Sequence, residues 1–115
     1  MVDTLIELLE SLGYTVYRQG SLAGQSYPDS FFTFWENDSP DHAHYDNQSY
    51  GTAYDFSVYF YSNDPNLCYS VIDQTRTTLK ANGWVVPSKG FDVASDEATH
   101  IGRGLQVYYL NTERN

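Results

Sequence analysis

A chain of 115 residues has the length of one domain and can bury most of the surface that its unfolded form exposes. Six basic against fifteen acidic side chains give a formal charge of -9, which repels the phosphate backbone and excludes a protein that reads nucleic acid through backbone contacts. No apolar run approaches the roughly 20 residues that a bilayer-spanning helix needs, and the single cysteine, Cys68, has no internal disulfide partner and suits a reducing compartment.

The opening "MVDTLIELLESLGY" places Leu5, Leu8, Leu9 and Leu12 on one helical face, with a capping-box spacing at Thr4 and Glu7 and with Gly13 as the stop. This predicts a helix over 3–12. Acids within the stretch and the lack of a basic leader argue against a signal peptide, so the protein is expected to be soluble and intracellular. "YTVYR" alternates as a short strand, "GSLAGQSYPDS" is a loop by its glycine, serine and proline content, and "FFTFWE" predicts a strand over 31–36.

After a polar segment at 36–50, "YGTAYDFSVYFYSN" sets Tyr54, Phe56, Val58 and Phe60 on one face and Asp55, Ser57, Tyr59 and Tyr61 on the other, the period of a long strand. Asp64 before Pro65 is a helix N-cap with proline in the first turn, and Cys68, Val71, Ile72, Thr75 and Leu79 form the apolar stripe of a helix over 65–82. "WVVP" reads as a short strand and "GRGLQVYYL" as the closing one. The whole chain, 1–115, therefore reads as a single α+β domain: two α-helices packed on a mostly antiparallel sheet of four to five strands, in the order α-β-β-β-α-β-β.

Chemistry-bearing residues concentrate in "ENDSPDHAHYDNQSYG". Asp38, Asp41, His42, His44 and Asp46 could bind an ion, since two histidines two positions apart project to the same side of an extended backbone. The same segment, with Pro40 and its Asn, Ser and Gly neighbours, fits a polar contact loop without the rigid support that a metal site uses. Cys68 sits in the helical stripe, which favours an inert core thiol over a nucleophile. Asp96, Glu97, His100 and Arg103 offer acid and base groups with no geometric support for their meeting, and Gly102-Arg103-Gly104 precedes a strand where a phosphate fingerprint follows one. Tyr59, Tyr61 and Tyr108 share the strand faces opposite the apolar stripes. Either the first helix covers them or a neighbouring subunit does.

With these residues laid out, the chain resembles the tail completion, or tail terminator, proteins of long-tailed bacteriophages and prophages. The likeness lies in "LIELLESLGY", in "YPDSFFTFWENDSPDHAHYDN", in "YDFSVYFYSNDPNLCYSVIDQTRTTLKANGW" and in the ending "GFDVASDEATHIGRGLQVYYL". The resemblance implies a structural protein, with no enzyme activity and no cofactor, that forms a homohexameric ring at the head-proximal end of the tail tube. Its implied partners are further copies of itself, the major tail tube protein and a head connector or stopper protein. Genomic DNA passes through the lumen, and the protein assembles in the host bacterial cytoplasm and ends in the virion tail. On this reading Tyr59, Tyr61 and Tyr108 belong to the subunit contact, and the 36–50 segment serves assembly. Two other classes stay open from the residues: an ion-binding domain or metal enzyme centred on 36–50, and an acidic adaptor that mimics nucleic acid.

Overall fold

Alternation in the long central strand organises the molecule. The computed structural model describes residues 2–18, 27–37, 44–45, 48–49, 51–95 and 98–112, with only the backbone at 44–45, 48–49, 51–53 and 111–112. In chain order these form α1 (Val2–Glu10), β1 (Val16–Arg18), β2 (Ser30–Glu36), β3 (His44–Tyr45), β4 (Gln48–Ser49), β5 (Gly51–Ser62), α2 (Pro65–Ala81), β6 (Phe91–Val93) and β7 (Ile101–Thr112). Five strands make one sheet in the order β1-β2-β5-β7-β6, and every pair is antiparallel except β1 with β2.

The two helices lie on the same side of this sheet. Leu5 and Leu9 of α1, and Cys68, Val71, Ile72 and Leu79 of α2, are buried in one cluster with Phe32, Phe34, Phe56, Val58, Phe60, Leu105 and Val107. Register places Phe34 opposite Val58, and Val58 opposite Leu105, so the apolar alternation of three strands lines up into one core face. Each such side chain contributes about 1.5–3 kcal/mol on full burial. The packing of the α2 stripe against Phe56, Val58 and Phe60 is the one that its spacing predicts.

Helix ends follow local chemistry. Asp64 accepts a 3.0 Å hydrogen bond from the Asn66 amide and caps α2, with Pro65 in the first turn, and Gly83 follows the last turn at φ +89°. Gly13, at φ +97°, leads the chain away from α1.

Three expectations change in detail. Helix α1 begins at Val2, which puts Thr4 inside the helix and takes the Thr4/Glu7 box away from its N-terminus. The strand expected at "WVVP" reduces to one antiparallel bridge, Val85 with Tyr108, because Pro87 has no N–H to extend the ladder; the strand forms instead at Phe91–Val93. The 36–50 connection contains a short pairing of its own, His44 opposite Ser49 and Tyr45 opposite Gln48.

Candidate functional site

Both described helices lie on one side, so among the described residues the other side of the sheet has no helical cover. Register assigns Tyr17, Phe31, Thr33, Trp35, Asp55, Ser57, Tyr59, Tyr61, Gln106, Tyr108 and Leu110 to this face, with Val85, Phe91 and Val93 at its β6 margin. Of the sequence's two alternatives for the tyrosines, cover by α1 is thereby removed.

One end of the face is closed within the chain by aromatic rings. Phe31 is buried against Tyr17, Tyr27, Tyr61 and His100, with ring centroids 5.3–6.0 Å apart. Tyr61 lies over Gly102, where a Cβ would stand 2.6 Å from its Cε1 atom. Gly102-Arg103-Gly104 therefore clears space for rings crossing from β5, a packing role that the G-x-G spacing alone does not reveal. His100 joins this cluster nearly buried: its Nε2–H donates to the Pro28 carbonyl at 2.7 Å, which leaves Nδ1 to accept from the Thr99 hydroxyl at 2.9 Å in the neutral ring.

Among the described residues, no such aromatic closure covers the other end. Among the described residues, seven large apolar side chains are exposed; five, Trp35, Val85, Phe91, Tyr108 and Leu110, belong to this face, and Tyr69 and Ile101 lie elsewhere. Tyr108 is exposed, whereas Tyr59 and Tyr61 are half-buried by Phe91, Phe31 and each other. Trp35, Val85 and Leu110 are each about half exposed and are the apolar residues that stand out furthest here.

Charge is nearly absent from the same surface. Among the described strand residues, Asp55 is the only charged side chain on this face; Arg18, Glu36, Asp92 and Arg103 fall on the helix side by register. The Asp55 carboxylate is held in place: its Oδ1 accepts from Gln106 Nε2 at 2.6 Å and from Asn37 Nδ2 at 2.9 Å, and Asn37 also reaches Ser57 Oγ at 3.1 Å. The polar row crosses β5 and β7 between Trp35 and Tyr108.

The remaining sequence candidates separate. Arg103 projects to the helix side, where its guanidinium lies 4.7 Å from the Tyr69 ring centroid and 2.8 Å from Asp92 Oδ1. His100 packs against Phe31 on the opposite side, so the two do not share a site. Cys68 is buried, with its thiol directed at the Ile101 carbonyl 3.5 Å away, and burial pushes the thiol pKa up, helped by the charges of Asp64 and Asp92 and opposed by the Ser62 backbone. A raised value disfavours the thiolate that nucleophilic chemistry needs. Asp38, Asp41, His42, Asp46, Asp96 and Glu97 lie outside the described residues, and His44 is described in its backbone alone. Among the described residues, no group of three or more His, Cys, Asp or Glu side chains is gathered as an ion would require. No described helix is long and apolar enough to cross a membrane.

The sequence does not single out Trp35, Val85, Phe91, Leu110 or Asp55 among the residues of this face. Trp35 carried a usable signal, since it keeps the parity of Phe31 and Thr33 in β2. Val85 and Phe91 carried none, because only the topology brings their segments to the margin of β7. Protein-family models and curated proteins were compared with the chain, and neither comparison finds a match.

Proposed function

We propose that this protein is a structural component of a bacteriophage tail, a tail completion or terminator protein whose copies form a ring at the head-proximal end of the tail tube, stop its growth and join it to the head connector. The observation that carries this reading is the helix-free face, where five exposed apolar side chains share the surface with one fixed carboxylate. Apolar surface at this density marks an interaction site, and tyrosine and tryptophan are the residues enriched where such sites are covered by another protein. The two-helix α+β architecture also agrees with the small α+β protein that the resemblance implies.

A ring of copies accounts for the charge distribution. At -9 per chain, copies repel over most of their surface, so association requires a region where acids are scarce. The helix-free face is such a region. The charge kept elsewhere suits a ring whose lumen passes DNA, because like charge prevents the polyanion from sticking.

The test is a tube-growth assay with a polymerising major tail tube protein. Adding the purified protein should hold polymerising tubes at a fixed length with density at one end. Tubes that lengthen equally with and without it would refute the assignment.

A further inference from the structure

We infer that the ring contact is head-to-tail, with the helix-free face of one copy seated on the α2 side of the next, and that Asp55 pairs there with the basic cluster formed by Arg76, Lys80 and Lys89. The inference rests on the ring reading above and adds the partner surface to it.

The argument begins with Asp55. Any partner that covers Trp35, Tyr108 and Leu110 also covers the carboxylate between them, and a carboxylate taken out of water must be paired. Two amide donors already converge on Oδ1 from within the chain. They fix the group without neutralising it, so the incoming surface has to bring a cation.

A two-fold contact of this face with itself does not meet that requirement. Symmetry would set two Asp55 carboxylates in one apolar interface, and no basic side chain of the described strands lies on the face to separate them. A second copy must then present a different surface. The described basic residues are Arg18, Arg76, Lys80, Lys89 and Arg103. Arg103 is engaged by Asp92 and Tyr69, and Arg18 lies over Phe34 at the opposite sheet edge.

The other three gather in one place. Arg76 Nε donates to the Ser88 carbonyl at 3.0 Å, which ties the loop carrying Lys89 to α2, and Lys80 stands one helical turn beyond Arg76. This cluster belongs to the helix layer, on the far side of the sheet from Asp55. A face on one side and its complement on the other make a heterologous contact, which closes into a ring when each copy is rotated by a constant angle.

Charge exchange tests the pairing, with oligomer mass read by native mass spectrometry over a concentration series of the untagged chain. Asp55→Lys alone, and Arg76→Glu with Lys80→Glu, should each weaken association by about tenfold or more, and the three substitutions together should recover most of it. Asp55→Asn keeps an acceptor for Asn37 and Gln106 and removes only the charge, so it should also weaken assembly while the thermal melt of the dilute monomer stays unchanged. An oligomer indifferent to the single reversals, or one that the combined exchange fails to recover, would overturn the pairing and leave the ring standing. A wild-type chain that stays monomeric at its solubility limit, alone and on tail tubes, would overturn both.

Discussion

The ring of Tyr59 occupies the space in which a side chain at Gly104 would stand: a Cβ there would be 2.7 Å from Tyr59 Cδ1 and 2.9 Å from Phe91 Cε2. The glycine is thus part of how the helix-free face is packed, since it lets a cross-strand ring lie flat where β5, β7 and β6 meet. Gly104→Ala should cost about 1–3 kcal/mol, as inserting a methyl into a filled site does. Urea denaturation measures it. In a double-mutant cycle, Tyr59→Leu should cost less in the Gly104→Ala background than alone, because the clash and the ring are lost together. Equal costs in both backgrounds would show that the ring does not press on the glycine.

Beneath the sheet, Ile72 is fully buried in the α2 stripe, and Ile72→Ala should cost about 2–5 kcal/mol. Cys68→Ala should be milder and should leave assembly intact. Because burial raises the Cys68 pKa, the unfolded thiol, ordinarily near 9.0, ionises first as pH rises. The contribution of the group to stability is therefore complete below pH 9.0 and is lost as pH climbs through the higher folded value. Urea midpoints should fall with alkaline pH more steeply in the wild type than in Cys68→Ala; identical slopes would contradict a buried, protonated thiol.

How far these features could be read in advance depended on which interactions repeat along the chain. Tyr54, Phe56, Val58 and Phe60 alternate with a fixed period, as does the α2 stripe from Cys68 to Leu79, and both elements formed as their spacing predicts because one packed face dominates each. Phe91–Val93 is too short to show a period, and its pairing depends on Gly102 and Gly104 making room for Phe91 and Val93. The face that Tyr108 would share was legible from alternation. Its neighbours Val85 and Phe91 were not, since chain distance hides what a sheet brings together.

His100 offers a check on the closed end of the face. Its two ring nitrogens are both bonded, and its imidazole ties the lead-in of β7 to Pro28, ahead of β2. His100→Ala removes the donor to a carbonyl and should cost about 1–3 kcal/mol, read from chemical denaturation. A variant as stable as the wild type would mean that this contact contributes little to holding Tyr27 and Phe31 in place.

The histidines of the 36–50 segment are expected to hold no stoichiometric ion, since the segment has the composition of a contact loop. Elemental analysis of untagged protein should find less than one zinc, manganese or nickel per chain. Stoichiometric metal that disappears in His42→Ala plus His44→Ala would move the function toward ion chemistry.

Assembly through the helix-free face is tested most directly by comparing the wild type with Trp35→Glu plus Leu110→Glu in the presence of the major tail tube protein. Both side chains are about half exposed, so as dilute monomers the double variant and the wild type should differ in stability by no more than about 1 kcal/mol. Native mass spectrometry should show a closed ring, six copies on the resemblance, for the wild type, and monomer for the variant. A variant that still forms the ring would place the subunit contact elsewhere on the molecule and contradict the account.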